Sequence, residues 1–407
     1  MTDLLMIAHF TILPSENGNS RFHTILSMLA ETGGYRAELI TSGFFHARKS
    51  QRERESPAYE ALPYRLTLLP EPAYARNVSL KRIRSHATFA QNVKRYLHTR
   101  EKPDIVYCAI PSLSVAHAVA RWCENNELCL ILDVQDLWPE AFMMTFRVPV
   151  LRHLAFWPMQ KRADSIYGSA DKILAVSETY RDRALRVNEK DPDGLSVYLG
   201  TDLAQFDRCG RDSRESGPDG GLRIAYVGTL GHSYDLSIII EAIALLPPEN
   251  RECVTFVVMG DGPLRAEFER KAKEAGIRAE FTGLLPYPDM VRKLCACDIA
   301  VNPIAKNAAQ SIINKVADYA AAGLPVVNTQ QNAEYRDLLS TRRAGIHCTH
   351  DAAEIASALH ALIRDPKLRR ECGDNNRKLA EERFDRGKTY GEIIELIDRC
   401  ARERRKA

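Results

Sequence analysis

The stretch RIAYVGTLGHSYD, residues 223–235, decides the fold class of this chain. An apolar run is followed by a loop with two glycines, Gly228 and Gly231, and then by a segment with helical periodicity. This order is typical of a strand that ends in a glycine loop and leads into a helix of an α/β domain. Backbone N–H groups and the helix dipole at such a loop favour an anionic ligand. The stretch therefore predicts an α/β domain with a phosphate-binding edge.

The same alternation of short apolar runs and longer helix-period segments extends along the chain on both sides of this stretch. It predicts two Rossmann-like, doubly wound domains in tandem. The polar, glycine-rich run 208–221 separates them, so we expect domains over residues 1–207 and 208–385 and a last helix over 386–407. The predicted strands are Leu4–Ala8, Ala37–Thr41, Arg65–Leu69, Asp104–Ile110, Leu128–Val134, Lys172–Val176, Leu222–Val227, Val254–Met259, Ala279–Thr282, Ile299–Asn302 and Pro325–Asn328.

Length and composition exclude several classes of protein. The chain has 407 residues, a net charge of +3 and a pI of about 8.3, which is too balanced for a dedicated nucleic-acid binder. Its ten cysteines are dispersed and indicate reduced thiols, and the pair Cys295 and Cys297 lacks the second pair that a zinc site requires. No run approaches the ~18 apolar residues of a membrane span, and no signal peptide is indicated. We expect a cytoplasmic protein, at most peripheral on a membrane, with no metal and no nucleic-acid partner.

Glycines and small polar residues recur where the predicted strands end. In doubly wound sheets these strand ends form one edge, where ligands bind. In the second domain we expect this edge to hold a nucleotide largely through backbone groups, and an ordinary turn at each position is the alternative. The first domain has a comparable loop over 14–22 but no G-x-G-x-x-G run, so a nicotinamide enzyme is not indicated. The predicted nucleotide-binding residues on the loops of the second domain are Gly228, Thr229, Gly231, Gly260, Asp261, Gly262, Thr282 and Gly283.

The run QSIINKVADYAAAGLPVV, residues 310–327, is the most specific in the chain. Helical spacing places Gln310, Asn314 and Asp318 on one face, with Lys315 beside them. A solvated face is the ordinary explanation of such a polar stripe. This helix, however, follows closely on a predicted strand, so we expect its first turn to lie at the ligand-binding edge.

With this run the chain resembles the retaining glycosyltransferases of family 4, whose GT-B architecture has two Rossmann-like domains facing across a cleft. That family carries two glutamates separated by seven residues and followed by Ala-x-Ala-x-Gly-x-Pro-Val, and here Ala321, Gly323 and Pro325 fix the register. The glutamate positions then fall on Gln310 and Asp318, so both depart from the family pattern. The resemblance implies that Asp318 binds the ribose of a nucleotide and that Gln310 stands where the transferred sugar is contacted.

A bacterial subgroup of amino-sugar transferases, of the N-acetyl-fucosamine type, is similar in further detail. It shares the form around Ser311, Asn314 and Lys315, and also the stretches 41–52 (TSGFFHARKSQR) and 134–142 (VQDLWPEAF). The resemblance implies transfer from a nucleotide-sugar, taken as UDP-linked, to a glycan or a polyprenyl-diphosphate-linked acceptor in cell-surface polysaccharide synthesis, such as capsule or O-antigen. It implies no metal or cofactor.

The same resemblance assigns roles to the domains and to three residues of the long run. The first domain takes the acceptor, the second takes the donor, and the last helix crosses back to the first domain. Ser311 and Asn314 join the donor-binding residues. Because the usual loop lysine is replaced by Tyr234-Asp235, Lys315 is the remaining cation for the diphosphate.

Candidate residues of the first domain lie beyond its predicted strands. Asp136 is a candidate general base for the acceptor hydroxyl, and a helix cap or an arginine partner is the alternative. Asp133 and Glu140 are weaker candidates of the same kind. The residues predicted on the acceptor or sugar side are Gly18, Asn19, Ser20, Arg21 and His46.

Basic residues cluster over 76–102, in one helix-period segment with Ile83, Phe89, Tyr96 and Leu97. A face that offers both charge and apolar anchors favours an anionic membrane surface. A solvated helix is the alternative. We expect peripheral binding to the inner face of the cell membrane.

Two other functions stay open on the sequence. A nucleotide-sugar 2-epimerase also has two Rossmann-like halves, although the order of the motifs favours a transferase. A non-catalytic nucleotide-sugar-binding protein of the same fold would explain the loss of both glutamates.

Overall fold

The computed structural model describes residues 1–16, 20–77, 79–143, 149–211, 221–306, 312 and 314–406. The chain forms two compact units: unit 1 is Met1–Val197 with Tyr390–Ala407, and unit 2 is Tyr198–Thr389. The boundary between Val197 and Tyr198 lies before the predicted domain boundary at residue 207. The reason is that the helix containing residue 207 packs into the core of unit 2, through Leu203 and Phe206.

Unit 1 is built on a parallel sheet with helices packed on it. Its strands are β1 (Thr2–Ile7), β2 (Tyr35–Ser42), β3 (Phe44–Phe45), β4 (Ser50–Gln51), β5 (Arg65–Leu69), β6 (Ile105–Ile110), β7 (Cys129–Val134), β8 (Lys172–Ala175) and β9 (Leu195–Ser196). Seven of them pair in parallel in the order β5-β2-β1-β6-β7-β8-β9, whereas β3 and β4 form an antiparallel hairpin. This order is typical of the doubly wound architecture that the sequence predicted. The helices are α1 (Arg21–Glu31), α2 (Pro57–Glu60), α3 (Leu80–Thr99), α4 (Leu113–Asn126), α5 (Glu140–Met143), α6 (Pro149–Ser169) and α7 (Glu178–Leu185).

Unit 2 repeats the plan on a second parallel sheet. Its strands are β10 (Leu222–Val227), β11 (Val254–Met259), β12 (Ala279–Gly283), β13 (Ile299–Asn302), β14 (Val326–Asn328) and β15 (Gly345–His347). They pair in the order β12-β11-β10-β13-β14-β15. The helices are α8 (Leu203–Gly210), α9 (Leu236–Ala244), α10 (Pro248–Glu252), α11 (Arg265–Glu274), α12 (Tyr287–Cys295), α13 (Asn314–Ala321), α14 (Ala333–Arg342), α15 (Ala352–Arg364) and α16 (Pro366–Leu379), followed by a π-helical turn (Ala380–Phe384).

Strand β1 and helix α1 show how the sequence specifies this architecture. Every residue of β1 is buried, as expected for a parallel strand that is covered on both faces. Helix α1 contributes Phe22, Ile25 and Leu29, which recur at helical spacing and share one apolar cluster with β1. Each such side chain contributes roughly 1.5–3 kcal/mol when it is fully buried. Ser20 begins the helix, where its hydroxyl accepts a hydrogen bond from the backbone of the first turn (3.2 Å).

Helix α17 (Arg386–Lys406) begins in unit 2 and belongs to unit 1 from Tyr390 onward. Its residues Ile393, Ile397 and Cys400 are buried in the same cluster as β1 and α1. These side chains therefore complete the core of unit 1. Ile394 of the same helix is only partly buried.

Candidate functional site

The loops after β10 and β11 in unit 2 touch each other through their backbones. The amide of Leu230 donates to the carbonyl of Asp261 (2.9 Å). A β-carbon at Gly260 would lie 1.9 Å from the Gly228 oxygen, and one at Gly262 would lie 2.4 Å from the Leu230 oxygen. The two glycines of the second loop are therefore required by backbone packing, whether or not a ligand is bound.

The other predicted loop residues lie around this contact. Gly283, at the end of β12, forms a bridge with Gly260 and has a φ of +74°, in the left-handed region that glycine favours. The hydroxyl of Thr282 donates to the carbonyl of the next residue, Gly283 (2.9 Å), so this hydrogen bond is local to the turn. Thr229 and Asn314 are exposed. Gly231 is half-buried. Asp261 is exposed, and its carboxylate accepts a hydrogen bond from the amide of Gly262 (2.7 Å). Gln310 and Ser311 lie outside the described residues.

Lys315 is the most unusual residue of this edge. It is only 7% exposed, and its amine has no hydrogen-bond partner among the residues that the structure describes. The amine lies 4.2 Å from the centre of the Tyr226 ring and 3.6 Å from that of Tyr234. A β-carbon at Gly228 would lie 3.6 Å from it, so the lysine sits directly beneath the loop that follows β10.

This environment disfavours the charge of Lys315 in the free protein. Burial lowers the pKa of Lys315 well below its usual value, because the two aromatic rings compensate only part of the lost hydration. An anionic group placed on the Gly228 loop would supply the missing counter-charge. The geometry thus fits the diphosphate role that the sequence predicted for this lysine.

Asp318 lies one turn further along α13, and its environment differs from the one that was predicted. The sequence suggested a carboxylate on an open polar face. In the structure Asp318 is half-buried and accepts a hydrogen bond from the Tyr287 hydroxyl (3.1 Å), which also contacts the Thr201 hydroxyl (2.9 Å). Burial raises the pKa of Asp318 to about 6. The carboxylate is therefore already held in place by a tyrosine.

Arg21 of unit 1 requires a correction, because the structure places it in the interior and not at an acceptor site. It is 4% exposed, and its Nε lies 3.0 Å from Oδ2 of Asp133, which is fully buried. Its Nη1 donates to the carbonyl of Val197 (3.1 Å), and its guanidinium lies 5.0 Å from the centre of the Tyr390 ring. Asp133 also accepts from the Tyr107 hydroxyl (2.7 Å), so it is a structural partner of Arg21 and not a base.

The neighbouring predictions on the first loop have mixed outcomes. Ser20 caps α1, and its hydroxyl also lies 3.2 Å from that of Thr11. Capping of a helix is an ordinary structural role for a serine. Gly18 and Asn19 lie outside the described residues.

Asp136 is half-buried on the loop between β7 and α5. One oxygen accepts from the amide of Leu137 (2.9 Å), and the other accepts from the indole of Trp138 (3.0 Å). Burial raises its pKa, which makes the carboxylate a stronger base. The structure thus gives Asp136 local partners and leaves its catalytic role a prediction. Glu140 lies in an ion pair with Arg183 (2.6 Å).

His46 stands in a group of rings at the carboxyl edge of unit 1. Its Nδ1 is hydrogen-bonded to the Tyr74 hydroxyl and lies 3.0 Å from the amine of Lys49. Burial, together with the charges of Lys49 and Arg82, lowers the pKa of His46 to about 4, so the ring is neutral near pH 7. A cavity of about 160 Å³ borders it, lined also by Phe10.

Sequence reasoning missed most of this group. His9 follows β1, and its Nε2 lies 2.8 Å from Oε2 of Glu71. Glu71 also accepts from the hydroxyls of Ser42 and Ser85. Among the described residues, His9, Glu71 and His86 form the one set of three whose possible metal-ligand atoms lie within 4.8 Å of one another. The Glu71 carboxylate already accepts three hydrogen bonds, from His9, Ser42 and Ser85, and His86 belongs to helix α3.

Comparison with known proteins matches residues 221–365 to the family described as glycosyl transferases group 1. The 2-deoxystreptamine glucosyltransferase of Streptomyces kanamyceticus is 33% identical over 150 residues, which make up 36% of this chain and 38% of that protein. The GalNAc-α-(1→4)-GalNAc-α-(1→3)-diNAcBac-PP-undecaprenol α-1,4-N-acetyl-D-galactosaminyltransferase of Campylobacter jejuni is 24% identical over 180 residues, 43% of this chain and 47% of that protein. The chain spans between 38% and 60% of the length of the curated relatives it matches.

Solved structures resemble nearly the whole chain. HepE of Anabaena, solved with UDP, has a TM-score of 0.68 at 16% identity and covers 98% of this chain and 100% of its own. WaaG, a glycosyltransferase involved in lipopolysaccharide biosynthesis, has a TM-score of 0.64 at 15% identity and covers 94% of this chain and 96% of its own. These likenesses confirm the predicted α/β fold with Rossmann-like, doubly wound units. Residues 221–365 thus match the glycosyl transferases group 1 family, in a chain whose fold resembles that of solved glycosyltransferase structures.

Proposed function

We propose that the chain is a glycosyltransferase that moves a sugar from a UDP-linked donor, with retention, to a glycan or a polyprenyl-diphosphate-linked acceptor. Unit 2 binds the donor and unit 1 binds the acceptor. A bond forms between an acceptor oxygen and the anomeric carbon, and the bond from that carbon to the diphosphate breaks. The proton of the acceptor hydroxyl passes to UDP or to a protein base. Support comes from the group 1 domain, from relatives named as glycosyltransferases, and from HepE structures with UDP and with UDP-glucose.

The observation that carries this proposal is the buried amine of Lys315 beneath the Gly228 loop, which has no hydrogen-bond partner among the described residues. A buried cation without a partner destabilises the free protein, and a diphosphate on the loop removes that penalty. Negative charge develops on the leaving diphosphate as the bond breaks. A preorganised cation in a site with little water stabilises this charge much more than water would. Lys315 therefore serves both donor binding and catalysis.

Other residues are proposed for the remaining contacts of the donor and the acceptor. Asp318 accepts from Tyr287 and still has acceptor capacity for ribose hydroxyls. Gln310 is proposed to contact the transferred sugar, and only the resemblance to family 4 supports this role. Asp136 is the proposed general base, supported by its raised pKa and its place at the end of β7. His46 contributes to the acceptor side.

A donor screen tests the function directly. UDP-, GDP- and dTDP-sugars are incubated with the full chain, with and without a lipid extract as the source of acceptor, and release of the nucleotide is measured. We expect acceptor-dependent release of UDP that EDTA does not abolish. Binding of UDP-sugars without release under any condition would favour a non-catalytic binding protein. Conversion of the sugar without an acceptor would favour an epimerase.

We also propose that the protein binds the cytoplasmic leaflet of an anionic membrane through the first turn of α3 while it builds cell-surface polysaccharide. Leu80 and Ile83 are 83% and 67% exposed there, beside the exposed Lys81 and Arg84. Charge and apolar side chains on one turn are the features that interfacial helices use. The described helices include none that is long and apolar enough to span a membrane.

The structure corrects the anchors that the sequence suggested for this surface. Phe89 and Leu97 are buried in unit 1, and the Tyr96 hydroxyl donates to Glu38. Arg82 lies over the Trp138 ring at 5.3 Å and is only half-exposed. Of the predicted apolar anchors, Ile83 is available to a membrane, and the sequence did not identify Leu80.

Flotation with anionic vesicles at low salt tests the membrane proposal. Each basic residue near such a surface contributes about 1 kcal/mol, so the double substitution Lys81→Glu and Arg84→Glu is expected to weaken binding by roughly thirtyfold or more. The matched control is Lys94→Glu with Arg95→Glu, which changes the net charge equally at two exposed positions further along α3. We expect little loss in the control. Equal loss in both pairs would show that only net charge matters and would refute a specific surface.

A further inference from the structure

Two basic side chains of unit 1 meet beside Tyr74. Lys49, in the turn between β3 and β4, donates to Oδ1 of Asn77 (2.6 Å), and Arg82 of α3 donates to the Asn77 carbonyl (2.8 Å). The Lys49 amine lies 4.8 Å from the centre of the Tyr74 ring, and the Arg82 guanidinium lies 5.9 Å from it. Asn77 and Tyr74 therefore hold two positive charges next to each other.

These charges have no acidic partner in the part of the chain that the structure describes. Every ion pair within 4.0 Å among those residues involves other basic groups. Glu71, the buried acid of this region, is occupied by His9, Ser42 and Ser85. Partial burial and the charge of Arg82 lower the pKa of Lys49, which indicates that the two cations repel each other in the free protein.

Both cations keep donors free for a ligand. Arg82 uses one of its five N–H groups on Asn77 and another on His86 (3.3 Å). Lys49 has three N–H groups and contacts Asn77 and His46. Its backbone has a φ of 56°, an uncommon conformation for a lysine, and its side chain lies over Tyr74. A neutral ligand would leave the two adjacent charges uncompensated.

We propose that Lys49 and Arg82 bind phosphate oxygens of the acceptor, with His46 and Tyr74 between them. This inference rests on the proposed function and narrows it: the acceptor carries a phosphate or diphosphate group, and its sugar end is recognised apart from this group. Charge-assisted hydrogen bonds from two cations to one diphosphate are strong and geometrically selective. The group has two possible sources, a lipid-linked diphosphate and a water-soluble phosphorylated glycan.

The test measures binding of farnesyl diphosphate and of inorganic pyrophosphate to the full chain in the presence of saturating UDP, which occupies the donor site. The variant Lys49→Asn removes the charge and suits a left-handed backbone position. We expect its dissociation constant for farnesyl diphosphate to rise at least tenfold, and that of Arg82→Gln to rise similarly. The control Lys94→Gln, at an exposed site of the same helix α3, is expected to bind as the wild type does.

The outcomes separate this proposal from the proposed function. Tighter binding of farnesyl diphosphate than of pyrophosphate would identify a lipid-linked source, and equal binding would identify a water-soluble one. Two results would overturn the anion site. One is that both Lys49→Asn and Arg82→Gln bind farnesyl diphosphate with wild-type affinity. The other is that the wild type binds neither probe. Failure of the wild type to bind UDP, with farnesyl diphosphate still bound, would overturn the donor assignment and leave the anion site standing.

Discussion

Replacing Lys315 with methionine is expected to lower kcat/KM for the UDP-sugar by two to three orders of magnitude and, at the same time, to leave the free protein as stable as before or more stable. The loss follows from removing the cation that faces the developing charge, a change that typically costs 10²–10³ in rate. The gain follows because a buried amine, which has no hydrogen-bond partner in the described part of the chain, is replaced by an apolar group of similar volume. Steady-state kinetics and chemical denaturation of the same preparation check both effects.

The pH dependence of stability has a definite sign at this residue. Burial makes the folded-state pKa of Lys315 lower than its unfolded value, so the unfolded chain binds more protons between the two pKa values. The stability of the free wild type should therefore rise with pH over that window, relative to Lys315→Met. Lys273→Met, an exposed substitution in the same unit, serves as the control. Kinetics within threefold of the wild type for Lys315→Met would refute the diphosphate role.

Arg21→Met is expected to lower the free energy of unfolding by about 3–5 kcal/mol, because it leaves the carboxylate of Asp133 buried and without its cation. The double variant Arg21→Met with Asp133→Leu should recover much of this loss, since no uncompensated charge then stays in the core. Arg36→Gln removes an ion pair of an exposed arginine and should cost less than about 1 kcal/mol. Urea denaturation of the four proteins, wild type included, gives the comparison.

This pair of residues also distinguishes a structural role from an acceptor-binding role. If Arg21 bound the acceptor, Arg21→Met would raise the acceptor KM and leave stability unchanged. We expect instead that Arg21→Met mainly lowers the free energy of unfolding and changes the acceptor KM less. A free energy of unfolding within 1 kcal/mol of the wild type would contradict the assignment of Arg21 to the core.

The strands were predictable because buried parallel strands are continuous apolar runs. All eleven predicted strands are present with small shifts at their ends. Strands β9 and β15 were missed because Leu195–Ser196 and Gly345–His347 are too short to show a pattern. The hairpin of β3 and β4 was missed for the same reason, and with it the turn that positions Lys49.

The site was harder to predict than the fold, because side-chain environments depend on residues far apart in the chain. Arg21 lies 112 positions from Asp133, so nothing nearby marks it as a core residue. The role of Lys315 at the diphosphate stays a prediction, and helical spacing alone gave no indication that Tyr226 and Tyr234 enclose it. His9 and Glu71, 62 positions apart, are brought together only by the ends of their strands.

Unit 1 consists of two segments that are far apart in the chain, and this determines when its core can be completed during synthesis. Met1–Val197 emerges from the ribosome first, but its core lacks Tyr390, Ile393 and Ile397 until the whole of unit 2 has been made. At 5–20 residues per second, the intervening segment Tyr198–Thr389 takes roughly 10–40 s to translate. During that interval the apolar cluster of β1 and α1 is open where α17 later packs, and exposed apolar surface of this kind is prone to aggregation. Unit 2, which is continuous in sequence, completes its fold without such a delay.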